Sequence, residues 1–571
     1  MLAPFLLAAC ATAPQESDRD SRGDRVASDA FERQQNAESA PGNEADPEVS
    51  FHLMTAERLM GMGEYADALD QYLAAAMLSD EPGLAARASR LAVRLEDWTQ
   101  ALRGVERWLE LEPESRDARQ IRVLAWINTG EVEAAVDGLA ALIEEAEDRD
   151  RGWRTAAMLL GTAGDDRLAL EVMDGLAERL GSDSESGGVE HVQSIVLWQA
   201  GDEEAALERA LAAAERSGER EHRVWAAQLA AANQELDLAL DLYRQARADD
   251  PDDSSLALAE AEVLRQLDRN DEALDLLREI EANEQVLYTL GIYLVEADER
   301  EEAVSVYERL ADLEPEEPAR HAFLAGRLAE LLEREEEALA WYVEVDSGPN
   351  AERARLRRAV LEGRSGNLET ARELLADMRR EEDGELSDEA WMVEAELLRD
   401  AGRAGESIDL MGEALRQTPN NVSFLYTRAI SAVADDNIDL AEQDLRRIIQ
   451  MEGDNAMALN SLGYTLTDRT NRHREAYRLI ERALELEPDD PAILDSMGWV
   501  HYHLGNPEKA LGYLERALEG EDNPEIAAHL IEVLWTLERH DEARELAENA
   551  LERDPDDPYL NQTLDELGLK P

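Results

Sequence analysis

The side chains that could do chemistry are few, and their spacing does not suit it. His501 and His503 flank Tyr502. Two residues apart on a helix, they point to different faces and cannot chelate one metal as a pair spaced four apart can. His473 is followed by Arg474-Glu475-Ala476, which is not the His-Glu-x-x-His arrangement of a zinc enzyme. The chain has no Gly-Lys-Ser/Thr to cradle a phosphate and no Gly-x-Ser-x-Gly nucleophile elbow. Asp and Glu number 129, so no single pair of carboxylates stands out as an acid–base couple. The one cysteine, Cys10, allows no internal disulfide framework. On these grounds no catalytic residue, metal site or cofactor is expected, and a surface that binds other molecules is.

The elements that would carry such a surface are clearest over Ala456–Leu518. A first helix presents Leu459 and then Leu462-Gly463, and the next presents Leu494 and then Met497-Gly498. Each is followed by a second helix with a small, a bulky and a small residue at helical spacing: Ala476, Ile480, Ala483, then Ala510, Leu514, Ala517. Glycine and alanine at these points let two helices approach closely, and a larger side chain would push them apart. This is the tetratricopeptide pattern, a pair of antiparallel helices repeating about every 34 residues. The small residue opening the second helix recurs at Ala68, Ala101, Ala135, Ala169, Ala206, Ala239, Ala273, Ala303, Ala338, Ala371, Ser407, Ala441, Ala476, Ala510 and Ala543. From Ala68 to Ala543 the series spans 475 residues in 14 intervals, about 34 each. The expected fold is all-α, a tetratricopeptide-repeat superhelix (α-solenoid) of roughly fifteen helix pairs. Gly63, Gly130, Gly164, Gly201, Gly366, Gly402 and Gly505 mark turns inside the pairs, and Pro113, Pro251, Pro315, Pro419, Pro488 and Pro555 mark the ends of units. Gly181–Gly188 and Glu381–Asp388 read as longer turns.

The 571 residues carry a net charge of -72, with a sequence pI near 4.3. Such a field repels nucleic acid and anionic membrane surfaces. Residues 1–10 form an apolar run ending Leu7-Ala8-Ala9-Cys10. This is similar to the lipobox of bacterial lipoproteins, although the basic segment that normally precedes it is missing. The reading is a truncated signal peptide over 1–10 with lipidation at Cys10. A flexible acidic tether follows over 11–48, poor in apolar residues. The repeat array occupies 49–557, and a capping helix and tail fill 558–571. The apolar run is too short to span a bilayer, so membrane attachment would be through the lipid alone. Ala11 after the cysteine implies, by resemblance to Gram-negative lipoproteins, sorting to the outer membrane, facing the periplasm.

In helical-repeat superhelices the first helix of each pair lines the concave face. Counted from the Leu-Gly marks, Asn460, Tyr464, Asp495, Trp499, Tyr502, Glu532 and Trp535 should point that way as a protein-binding surface. Tyr464, Trp499 and Trp535 stand about one repeat apart, as an aromatic ladder would. The groove has no lysine placed to clamp a peptide carboxylate, so that mode is not expected.

The stretches A-L-N-S-L-G-Y-T-L-T-D-R, I-L-D-S-M-G-W-V-H-Y-H-L-G and P-E-I-A-A-H-L-I-E-V-L-W together resemble the large tetratricopeptide lipoproteins of Gram-negative proteobacteria. The best-studied type binds and activates a periplasmic carboxy-terminal processing protease, a serine protease. The resemblance implies a non-enzymatic adaptor that brings peptidoglycan hydrolases to that protease. It carries over no binding residue. The other reading is a tetratricopeptide lipoprotein that assists outer-membrane or polysaccharide-export assembly.

Overall fold

The computed structural model describes residues 46–569 apart from 147–148, 181–186, 316 and 381–385. Cys10, the lipobox, most of the tether and most of the two long turns at 181–188 and 381–388 lie outside the described residues. Among the described residues all regular structure is helical, and 31 helices follow one another, numbered α1 to α31 in chain order. The expected all-α repeat fold is the one observed. Helices α1 (Pro47–Gly61) and α2 (Tyr65–Leu78) form the first hairpin, and α29 (Pro524–Thr536) and α30 (His540–Arg553) form the fifteenth. Helix α31 (Pro558–Leu567) follows and packs on α29. Helix α1 starts two residues before the expected array boundary at 49. Pro47 suits the first turn of a helix, and the Asp46 side chain accepts from the Glu48 backbone N–H.

One regularity ties the sequence to the hairpins. Each of the fifteen small residues from Ala68 to Ala543 is the fourth residue of the second helix of its hairpin, and each is at most 2% exposed. Ser407 takes this place in one hairpin. Its hydroxyl sits 2.8 Å from the Ala395 carbonyl and 2.7 Å from the Ser431 hydroxyl, so the buried polar atom is satisfied. Close approach also accounts for the Leu-Gly marks. A Cβ added at Gly463 would lie 2.4 Å from Ile480 Cγ1, and one added at Gly498 would lie 2.6 Å from Leu514 Cγ.

The turns are less uniform than their glycines suggest. Six of the seven predicted turn glycines have positive φ; Gly164 does not. The equivalent place, five residues before the small anchor, is held in seven other hairpins by Glu96, Gln234, Asp268, Asp298, Glu333, Asp436 and Glu538, all with φ between 55° and 63°. Tertiary packing therefore imposes the left-handed turn on residues that resist it.

The chain divides into two compact units, one ending at Val306 and one starting at Tyr307. In the first, the core includes Val123, Leu139, Ile143, Trp153, Leu160 and Leu176. In the second, Leu445, Leu459, Leu462, Ile480, Met497 and Val500 form a continuous apolar cluster. Each such aliphatic side chain contributes about 1.5–3 kcal/mol by leaving water. No helix of the described residues is long and apolar enough to cross a membrane.

Candidate functional site

The predicted surface residues fall on the first helices of the last hairpins: α25 (Ala456–Arg469), α27 (Pro491–His503) and α29. Their starts are fixed locally. Asn455, Asp490 and Asn523 cap the three helices through side-chain oxygens, and Pro491 and Pro524 occupy first-turn positions. Helix α31 is capped by Asp557 and begins at Pro558 in the same way.

The centre of the site is a residue that spacing did not single out, His529. It is completely buried. Its Nδ1 lies 2.8 Å from Asp495 Oδ1 on α27, and its Nε2 lies 3.0 Å from the Tyr559 hydroxyl on α31. Trp499 stacks on the imidazole with ring centroids 3.9 Å apart and 19° between planes. Tyr464 approaches the imidazole at 6.2 Å, and its hydroxyl donates to Glu525 Oε1 on α29. Four helices are thus joined through one imidazole and its neighbours.

The charges around His529 decide its behaviour. Burial alone would lower its pKa, but the Asp495 carboxylate, by charge and hydrogen bond, and then Glu525 and Glu532 outweigh burial and raise it. Burial and the neighbouring carboxylates hold the Tyr464 and Tyr559 phenols protonated far above the ordinary tyrosine range. Glu532 is itself raised, first by burial and then by Glu566, with His529 acting the other way. An Asp–His–Tyr chain has the outline of a nucleophilic relay. Here the histidine favours its proton and the tyrosine keeps its own, so these three residues do not form an activated nucleophile. It works as a buried polar clasp.

The predicted residues separate into three groups. Asp495 and Trp499 are buried, at 6% and 5% exposure, and belong to the clasp. Tyr464, Tyr502 and Glu532 are partly exposed around it. Tyr502 stacks on Trp499 at 5.2 Å, and its hydroxyl is 3.2 Å from Thr536 Oγ1. Asn460 is partly exposed, and its Oδ1 is buried without a hydrogen-bond partner. Trp535 stands apart from the other two rings of the expected ladder: it meets His540 at 4.2 Å and lies under the Arg544 guanidinium. His501 packs on Tyr513, whereas His503 packs on His473 and Trp499, so the two turn to different neighbours. Among the described residues no group of three or more His, Cys, Asp or Glu side chains is arranged to hold a metal.

Comparison with known proteins rests on this repeat geometry. A sequence profile described as tetratricopeptide repeat matches residues 226–285, 288–352, 356–422, 426–491 and 466–526, more than half of the chain, and a second of the same description matches 502–566. The chain belongs to the tetratricopeptide-repeat family. A tetratricopeptide relative of Pseudomonas aeruginosa, TPR repeat-containing protein PA4667, is 41% identical over 208 residues. That match takes in 36% of this chain and 35% of the relative, so it spans about a third of the relative's length. Among solved structures, a thermophilic TPR protein of Thermus thermophilus is 25% identical with a TM-score of 0.28, covering 31% of this chain and 96% of its own. A tetratricopeptide repeat protein of Parabacteroides merdae is 14% identical with a TM-score of 0.36, covering 43% and 98%. Cut9–Hcn1, an APC/C hetero-tetramer, is 15% identical with a TM-score of 0.31, covering 91% and 96%. Tetratricopeptide proteins bind protein partners, and this one is a protein-interaction scaffold of that kind.

Proposed function

We propose that this scaffold is anchored by lipid at Cys10 to the outer membrane, faces the periplasm, and binds a carboxy-terminal processing protease together with substrates such as peptidoglycan hydrolases. The reading draws on the lipobox, the polar stretch after it and the resemblance of Ala456–Leu537. The observation that carries the docking role is the acidic and aromatic wall on α25, α27 and α29. Tyr464, Tyr502 and Glu532 are offered on a base that the Asp495–His529–Tyr559 clasp holds rigid. Aromatic side chains fixed in advance contribute most to protein binding, because little entropy is lost when they engage. A long array can also hold protease and substrate together and raise their effective concentration.

The test is capture from envelope extract with the lipidated chain. The protease should be recovered, and Tyr464→Ala with Tyr502→Ala should reduce its recovery. Recovery of no protease by the intact chain contradicts the reading. Recovery of outer-membrane or export-assembly proteins in its place would favour the assembly role.

A further inference from the structure

The two ends of the array are finished differently among the described residues. At the carboxy-terminal end α31 lays Leu560 and Leu564, both fully buried, into the core of the last hairpin. At the other end, six of the eleven large apolar side chains exposed among the described residues crowd into the first hairpin: Phe51, Met54, Met62, Tyr65, Met77 and Leu78. Phe51 and Met54 lie one turn apart on α1 and are 59% and 67% exposed. Phe51 stands 17 residues before its anchor, Ala68. Leu256, Val286, Phe424, Ile493 and Ile526 stand 17 residues before theirs, and none is more than 5% exposed. Ile526 shows what covers that place, since it clusters with Ala517 of the second helix before it. No second helix precedes α1 among the described residues.

Residues 1–45 adjoin that face in sequence. One stretch of them carries the mark of a second helix. Ala68-Leu69 with Ala75, Ala206-Leu207 with Ala213 and Ala239-Leu240 with Ala246 each set an anchor, a large apolar residue and an alanine seven past the anchor, all at most 5% exposed. Ala30-Phe31 with Ala37 has the same spacing. Ala30 precedes Ala68 by 38 residues, and the longest interval between anchors, Ala169 to Ala206, is 37. Val26 and Phe31 are the only large apolar residues between 11 and 45. At helical spacing they fall with Ala27, Ala30 and Ala37 inside an arc of about 140°, and Ser28, Asp29, Glu32, Arg33 and Asn36 take the other side.

We propose that residues 26–40 cover Phe51 and Met54 as a further second helix, so that a segment of the chain itself closes the open end of the array. A helical-repeat array needs a terminal cap with a polar outer face, and this stretch supplies both faces. Residues 41–46 join it to α1, a linker of six. Three residues join Leu78 to Pro82 and seven join Leu180 to Gly188, so six is within the range this array uses. A short linker holds the segment at an effective concentration near millimolar, which a second copy at micromolar concentration does not match. The free tether expected over 11–48 shortens to 11–25. The cap does not depend on which partner the array binds.

The test is hydrogen exchange of the full chain. Amides in 26–40 should exchange at least about tenfold more slowly than in an unstructured peptide, and those in 11–22 at the peptide rate. Phe31→Asp and Phe51→Asp should each return 26–40 to the peptide rate, because the contact would bury an unpaired carboxylate. Both variants should keep the parent's exchange in α27, which reports that the array is folded. Asn36→Asp, on the polar side, should leave the protection in place. Protection in the parent should be the same at about 1 μM and about 50 μM protein, as a contact within one chain requires. Three results would overturn the cap: exchange of 26–40 at the peptide rate in the parent, protection that survives both Phe31→Asp and Phe51→Asp, or protection that grows with protein concentration, which would assign the face of α1 to a second copy.

Discussion

His191 and His529 both sit on the first helix of a hairpin and are both withdrawn from water, yet burial leaves them with opposite preferences. His191 lies on α9 (Gly188–Gln199), and the ring of His222 on α11 (Arg220–Ala232) is 4.6 Å away. Burial and that second imidazole push the His191 pKa down to about 4. Its Nδ1 is buried without a partner, while His222 Nδ1 is 2.7 Å from Ser217 Oγ. His529 is more deeply buried and its pKa is raised, because Asp495 lies 2.8 Å from its Nδ1. One repeat architecture thus disfavours the proton of a histidine in the first unit and favours that of a histidine in the second. The repeat dictates where a side chain is placed; its neighbours dictate what charge it carries.

The strongest way to break the comparison is to remove the support beneath one side of it. A side chain at Gly498 would meet Leu514 and would stand 3.2 Å from the Ala510 carbonyl, which is backbone and cannot swing away. Gly498→Leu should cost about 3 kcal/mol or more, as overpacked core sites do. Hydrogen exchange should show α25 to α31 losing protection while α9 to α11 keep theirs. Unchanged melting of the variant would contradict the close approach of α27 to α28 (Pro507–Gly520).

Acidification sharpens the contrast. His191 has a folded pKa below its unfolded value of about 6.5, so the unfolded chain takes up its proton first as pH falls. That costs stability below about pH 6.5, roughly 2 kcal/mol by pH 5. His529 has the opposite sign. Its contribution is fully present below its unfolded pKa and fades as pH rises through the higher folded value. Between pH 7.5 and pH 5, exchange corrected for intrinsic rates should quicken in α9 and α11 but not in α27 and α29. His191→Phe should abolish the acid loss, and an acid loss that persists in this variant would place its origin elsewhere.

Asp495→Asn should give the clasp the character of the other pair. Without its carboxylate, His529 loses its reason to hold a proton. Destabilisation should be roughly 1–2 kcal/mol at pH 6 and smaller at pH 9, read from denaturant midpoints. An equal cost at both pH values would mean that Asp495 acts by shape alone. The smallest effect concerns the turns. Glu333→Gly relieves a left-handed residue, and partial cancellation by glycine's extra unfolded-state freedom leaves a gain of about 0.5 kcal/mol. A loss of melting temperature would show that the Glu333 side chain contributes more than its strain costs.

Much of the fold was legible because close packing selects small residues at a fixed spacing. The anchors from Ala68 to Ala543 fall on the fourth residue of successive second helices, including the middle of the chain where the register was hardest to read. The turns were legible only where glycine stands. Glu96 or Asp436 looks like any exposed acid until packing forces its φ positive. At the site, position along the first helix was enough to bring forward Tyr464, Asp495 and Trp499. It could not bring forward His529, Glu525 or Tyr559, whose contacts close across 30, 34 and 61 residues. The one available signal was that His529 follows Asp495 at one repeat length. Trp535 shows the limit of spacing: Tyr464 and Trp499 are the ninth residues of α25 and α27, Trp535 is the twelfth of α29, and its ring meets His540 and Arg544.

Hydrogen exchange of the whole chain, with and without the purified processing protease proposed as its partner, tests the central claim most directly. Protease should slow exchange in α25, α27 and α29, and Tyr464→Ala with Tyr502→Ala should reduce that protection. Exchange rates that are the same everywhere in the chain at saturating protease would contradict the account.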